Sequence, residues 1–200
     1  MTTQSSSSQS KEVQTITKYL GDMHALESHI DKAIENQIKG FPQGHQEALD
    51  QVQTFHSKLE NHLTALDSRL QSLGGSPTHP VKQAVAAVAG VAAGLYDQVR
   101  NEEASKDLRD DYTALNQSLI SYVMLHTTAL AFNDQETADL CQRHLTDTSN
   151  FVMQIQSMMP ALVIQEYEQD GGFSGINKDA AISGTKQVID KIWNDNPEHN

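Results

Sequence analysis

Cysteine is almost missing from this 200-residue chain. Cys141 stands alone, which excludes an intramolecular disulfide framework and any cysteine-rich zinc or iron–sulfur site. It also leaves no second thiol to resolve a peroxidase-type intermediate. Aromatic residues make up 6% of the chain, too few for a base-stacking stripe or a ligand-stacking site. Cations are scarce too: 14 Lys and Arg against 26 Asp and Glu, for a net charge of −12. Nucleic acid and anionic membrane surfaces both recruit Lys and Arg, so this balance speaks against either as a partner. No uncharged apolar run reaches the length of a membrane span. There is no strand alternation, no solenoid repeat, no P-loop, no Gly-rich dinucleotide turn and no Ser/His/Asp order in a supporting motif. The start, MTTQSSSSQSK, has no apolar signal core, which predicts a cytoplasmic protein.

What the chain does have is helical periodicity. At about 100° per residue, Ile16, Leu20, Met23, Ile30, Ile34 and Ile38 share a stripe, predicting a helix over 13–39 that stops at Gly40-Phe41-Pro42. A second helix is expected over 45–73, on Val52, Phe55, Leu59, Leu63, Leu66, Leu70 and Leu73. The short link between them makes an antiparallel hairpin. Gly74-Gly75-Ser76-Pro77 ends it. The small-residue stretch AVAAVAGVAAGL follows, with Gly90 and Gly94 one turn apart, and reads as a crossover helix. A third helix is expected from Asp111 to Phe132, on Leu108, Leu115, Leu119, Tyr122, His126 and Ala129. After the Asn133-Asp134 turn a fourth runs over 135–167, with Pro160 expected to kink or end it. The fold class is therefore all-α: two antiparallel hairpins joined by a long crossover, the ferritin-like four-helix topology. The expected domain plan is a disordered Ser/Gln-rich tail (1–11), the bundle (12–170) and a polar C-terminal tail (171–200) with an amphipathic patch at Val188, Ile189, Ile192 and Trp193.

Several polar residues interrupt these stripes. Glu27 lies midway between Leu20 and Ile34 on the first. A carboxylate facing a bundle core is costly unless it is paired, hydrogen-bonded or bound to metal. His126 and His144 fall on the stripes of adjacent helices at nearly equal height from the turn. They are expected to face each other, either in a neutral His–His or His–Tyr hydrogen bond that fills the core or as part of a metal site, since neutral imidazole suits zinc, iron and copper. His56 and Glu60 share a face at i, i+4. His62, on the far flank of its stripe, is expected at the core boundary, as are His24 and Asp31. Glu102-Glu103 and Asp110-Asp111 read as solvated acidic faces near helix starts. Cys141 reads as a buried, inert thiol.

The first helix carries Leu20-Gly21-Asp22-Met23-His24-Ala25-Leu26-Glu27-Ser28-His29-Ile30-Asp31-Lys32-Ala33-Ile34. Further on come His62-Leu63-Thr64-Ala65-Leu66, then Tyr122, Thr127, Thr128 and Asn133, then Ala138-Asp139-Leu140-Cys141-Gln142. On these residues the chain resembles the YciE/YciF-type branch of the ferritin-like superfamily, over about residues 13–167. The resemblance implies two metal ions in the bundle core, held by a Glu on the first helix, Glu-x-x-His on the second, Glu on the third and an acid pair on the fourth. Carried over, Glu27 matches the first. The second pattern falls on Ser57 and Glu60, the third near Leu115–Ser118 where no acid stands, and the fourth near Asp147 and Thr148. No intact Glu-x-x-His occurs in the chain.

Three readings follow. The favoured one is a non-catalytic ferritin-like bundle with an eroded di-metal site and no resident cofactor. It would be stress-associated, as the resemblance implies, and a homodimer along a bundle face. The second is a metal-binding protein or oxidoreductase, with iron or manganese on a non-standard set drawn from Glu27, Glu60, Asp147, His56, His126 and His144. The third is an assembly module that docks through the Gly90/Gly94 face or the Trp193 tail.

Overall fold

Ser10 opens the first helix. Its backbone is extended and its hydroxyl accepts the Val13 N–H at 3.3 Å, filling one of the amide vacancies at a helix start. The computed structural model describes residues 10–76 and 103–194, apart from the side chains of 193 and 194. The expected N-terminal tail up to residue 9, the crossover helix with Gly90 and Gly94, and the Trp193 side chain lie outside the described residues. The described helices are α1 (Lys11–Gly40), α2 (Gln46–Ser72), α3 (Ala104–Ala131), α4 (Gln135–Asp170) and α5 (Lys178–Asn194). No strand occurs among the described residues.

α1 packs on α2 and α3, and α4 packs on α2 and α3. His45, just before α2, meets Gln165 near the end of α4 at 3.2 Å. Arg69, near the end of α2, meets Asp134, just before α4, at 2.6 Å. Neighbouring helices therefore run antiparallel, and the connection from α2 to α3 crosses from one end of the bundle to the other. This is the ferritin-like arrangement.

One register ties α2 to α4. The rings of Phe55 and Phe151 stack at 4.3 Å and 11°. Seven residues along each helix, His62 and His144 stack at 3.8 Å and 8°. Seven further, Arg69 Nε donates to Thr137 Oγ1 at 2.9 Å. Seven residues are about 10.5 Å of helix, so the histidine pair sits between an aromatic plug and an arginine clasp. In the clasp, Asp134 accepts from Arg69 and caps α4 by accepting the Thr137 N–H at 3.1 Å. Burial works against the ionised Asp134, but the bonds from Arg69 and Thr137 outweigh it and hold the carboxyl below its ordinary range.

The structure departs from the sequence expectations in several places. α3 begins at Ala104, seven residues early. Glu166 of α4 accepts both the Ser105 N–H at 2.7 Å and its hydroxyl at 2.6 Å, so a carboxylate from a neighbouring helix caps the start. Pro160 does not end α4, which continues to Asp170. One lost N–H is outweighed by the burial of Ile155, Leu162 and Ile164 on either side. The helix stops at Gly171, whose φ of 64° is the left-handed cap that glycine adopts freely. The C-terminal patch belongs to a 17-residue helix, α5, packed on α4.

Asp111 is not a solvated acid. It is 1% exposed, and its Oδ2 has no hydrogen-bond partner among the described residues. It continues the inward series Ala104, Leu108, Leu115 of α3. Burial pushes its carboxyl up to about 8; the Gln37 amide on α1 offsets part of the rise, while Asp107 and Asp110 add to it. Asp107 is pushed to about 6 by burial, with Asp110 and Glu166 adding. Native Asp111 thus holds a proton that the unfolded chain has released above about pH 4, so its contribution declines as pH rises towards 8. Urea unfolding between pH about 5 and about 9 should show falling stability in the wild type and a much flatter profile in Asp111→Asn. Parallel profiles would contradict the buried, protonated state.

Candidate metal centre

Glu27 is fully buried at mid-height on α1, where its stripe faces α2 and α3. Such a carboxylate needs a donor or a cation. α2 brings His62, whose Nδ1 lies 3.3 Å from Glu27 Oε1. The other ring nitrogen, Nε2, is 3.4 Å from Asp147 Oδ2 on α4. Lys58, one turn before His62, holds Asp147 from the rim in a short ion pair. Burial disfavours the ionised Asp147, but the bonds from Lys58 and His62 outweigh it and keep the carboxyl below its usual range.

The other side of the centre comes from α3 and α4. Tyr122, fully buried, lies with its hydroxyl 2.6 Å from His144 Nδ1. Burial, then the nearby Glu27 carboxylate, push the phenol well above its ordinary range, so Tyr122 keeps its proton. Burial pushes His144 down to about 3, with His62 and Arg143 adding to the effect, so its ring is neutral. A protonated phenol and a neutral imidazole form one hydrogen bond, with the phenol donating when the ring proton is on Nε2 and Nδ1 donating when the ring proton is there.

Glu27, His62 and His144 can each offer a ligand atom with all three within 4.8 Å of one another. All three residues are buried, and Glu27 Oε2 has no hydrogen-bond partner among the described residues. Thr148 Oγ1 and Ser118 Oγ, one turn from His144 and Tyr122, are likewise buried without partners.

The structure brings Glu27 and His144 together, with Asp147 at the edge of the centre. The other three candidates lie apart from it. Glu60 is exposed. His56 is partly buried and pairs with Asp31 at 3.2 Å. His126 is half-buried one turn beyond Tyr122, so the expected His126–His144 pair gives way to His62–His144. His62 is 3% exposed, not a boundary residue, while Leu63 is only partly buried. Sequence reasoning put Tyr122 on the inner stripe and His62 at the boundary but gave neither a place in the centre. The signal was the seven-residue step Phe55–His62–Arg69, in step with Phe151–His144–Thr137. Cys141 is buried, and burial, then Asp134, raise its thiol to about 12, which makes it inert.

Two helical hairpins, an end-to-end crossover and a polar centre at mid-height define a ferritin-like helical-bundle protein. The chain belongs to the DUF892 family, described as a domain of unknown function, which matches residues 14–168. A crystal structure of a protein from Xanthomonas campestris pv. campestris shares the fold, with a TM-score of 0.67 and 15% identity. It covers 81% of this chain and 99% of that one. A crystal structure from Bacillus anthracis, described as ferritin-like, diiron-carboxylate proteins, matches with a TM-score of 0.61 and 16% identity. It covers 76% of this chain and 99% of that one. Comparison with curated proteins finds no match.

Tyr122→Phe removes one oxygen and leaves His144 Nδ1 buried without its hydrogen-bond partner. Such a loss costs about 1–3 kcal/mol. Urea unfolding should show a destabilisation in that range with helical content unchanged. A neutral substitution would mean that the phenol–imidazole bond is dispensable.

Proposed function

We propose that this chain is a ferritin-like metal-binding protein whose interior holds a single transition-metal ion between Glu27, His62 and His144. The observation that carries this reading is Glu27 Oε2, a fully buried carboxylate oxygen without a donor among the described residues, beside two buried imidazoles. Two nitrogens and one carboxylate oxygen suit zinc, iron and neighbouring ions of the first transition row. Asp147 behind His62 and Tyr122 behind His144 would orient the two rings, as hydrogen-bond partners behind ligating histidines generally do. His144 would offer Nε2 to an ion in the tautomer that carries the ring proton on Nδ1, and the Tyr122 oxygen, 2.6 Å away, would accept from Nδ1 with its own proton turned aside.

The diiron-carboxylate centre named for the Bacillus anthracis structure does not fit these residues. A carboxylate-bridged pair needs acids from several helices at one level. At this level, among the described residues, only α1 supplies a buried acid, while α2, α3 and α4 supply His62, Tyr122 and His144. Asp147 stands at the edge and is already held by Lys58. A lone bound ion would act as a Lewis acid or a one-electron centre, but a site this enclosed suits holding an ion more than turning over a substrate. An apolar cavity of about 620 Å³ does exist, lined by Tyr112, Ile155, Met159, Val163 and Ile189 among others, but no residue of the centre lines it.

A second reading is a non-catalytic, stress-associated bundle with a metal-free polar core, and the ring geometry favours its metal-free part. Imidazole lone pairs lie in the ring plane, and two rings stacked at 8° do not aim theirs at one point. Binding therefore requires one ring to turn. Metal analysis of protein purified without chelator, then offered iron(II), manganese(II) or zinc(II), separates the two. The expected result is about one equivalent, lost in Glu27→Ala and in His62→Ala. Bound metal at a hundred times its Kd should also stabilise the fold by about 2.7 kcal/mol. Under about a tenth of an equivalent with every ion would establish the metal-free reading, and about two equivalents would restore the dinuclear one.

A further inference from the structure

α5 reaches the bundle without burying a side chain. Each of its described side chains is exposed or only partly buried, and Val188 and Ile192 are 57% and 65% exposed. Helices of this length normally owe their stability to packing an apolar face. Lys178 pairs with Glu168 at 3.2 Å, and α5 then runs back along α4 as far as Ile189, which borders the same space as Ile155. That space is the apolar cavity of about 620 Å³. α4 lines it with Ile155, Met159 and Val163, and α5 with Ala181, Thr185 and Ile189 at steps of one turn. α3 adds Lys106, Arg109 and Tyr112. Water finds few hydrogen-bond partners against such walls, and the volume lies within the range of small-molecule sites.

We propose that this cavity binds a free medium-chain fatty acid, with its tail between α4 and α5 and its carboxylate at Lys106 and Arg109. Charge selects the head. The chain has 26 Asp and Glu against 14 Lys and Arg, yet two of the cations and, among the described residues, none of the acids line this cavity. The cavity of about 500 Å³ at the start of α2 offers a contrast, since Gln46, Glu47, Gln51, Gln154 and Gln165 line it. Lys106 pairs with Glu103 at 2.5 Å and Arg109 with Asp110 at 2.7 Å. The two cationic side chains are 37% and 57% exposed, and solvated pairs of this kind contribute little, so either cation can turn to a ligand carboxylate. Length selects the tail. Ala181 to Ile189 spans about 12 Å of helix. An extended carbon chain advances about 1.2 Å per bond, so about ten carbons fit. The seated tail gives α5 the apolar partner that α4 alone does not supply. No residue of the metal centre lines the cavity, so the two sites are independent.

Calorimetric titration of the full chain with hexanoate, octanoate and decanoate, each below its micelle concentration, tests this proposal. One equivalent should bind, about fourfold more tightly for each added methylene. Decanol has the tail without the charge and should bind about tenfold more weakly than decanoate. Lys106→Gln combined with Arg109→Gln should remove that tenfold advantage and leave decanol unchanged. Thr185→Trp, at an exposed position on the cavity wall, should fill the space and abolish binding of both. Val123→Ser, at an exposed apolar position elsewhere on α3, should alter neither. The double charge variant changes only solvated side chains, so it decides the matter if Thr185→Trp does not fold. Absence of saturable binding, as when another segment of the chain or a second copy fills the cavity, overturns the proposal. Decanol binding as tightly as decanoate, or decanoate binding that the double charge variant leaves intact, overturns it equally.

Discussion

A carboxylate with no access to water is the constraint on which the interior of this bundle depends. Left unpaired, an ionised Glu27 would cost more than any single apolar contact nearby returns. The interior answers with a series of partners. His62 meets Glu27, Asp147 meets the far nitrogen of His62, and Lys58 meets Asp147 at the rim. Each member moves the electrostatic demand one step closer to solvent. The answer is incomplete, because Oε2 of Glu27 receives no donor among the described residues. That vacancy is the observation on which the proposed cation rests. A network evolved only for packing would be expected to satisfy all of its members.

The packing around this series keeps it in place. Rings at α2 and α4 positions seven residues apart put the phenylalanine stack on one side of the histidine stack and the arginine clasp on the other. A shift of one residue between α2 and α4 would break all three contacts together. Register is therefore over-determined, and the side chains of the centre sit on rigid helices, as a precise site requires. Tyr122 adds the same discipline from α3, since its phenol can reach His144 only at one height.

Helical periodicity made the fold legible. Apolar stripes, the Gly40-Phe41-Pro42 stop and the Asn133-Asp134 turn placed both hairpins, and the long link between them gave the ferritin-like order. Glu27 was legible as an inward acid for the same reason. Its partners were less so, because a 27-residue helix allows two neighbouring choices for its buried edge. Leu63 and His62 differ by one position, and hydrophobicity favours the leucine. Only the cross-helix register, which is a tertiary fact, turns His62 inward. Asp111 escaped notice for a related reason. Beside Asp110 it resembles a solvated pair, and nothing local reveals that α1 covers it. The start of α3 depends on Glu166, sixty-one residues away from Ser105, which no local capping rule could supply.

The seam between α1 and α2 shows why the centre lies where it does. Three histidine–carboxylate pairs run along it: His24 with Asp67 at 2.9 Å, His62 with Glu27 at 3.3 Å and His56 with Asp31 at 3.2 Å. With 14 Lys and Arg for 26 acids, imidazole serves as a third kind of partner. The outer two pairs are partly solvated, so water shares the work of stabilising their charge and a metal would gain little there over hydration. At the middle pair water is excluded, the dielectric is low, and α4 adds a neutral second imidazole. Coulombic attraction between a divalent ion and Glu27 is strongest where screening is weakest. Similar residue chemistry therefore gives two partly solvated pairs and one buried group that could hold an ion, and burial together with the second imidazole makes the difference.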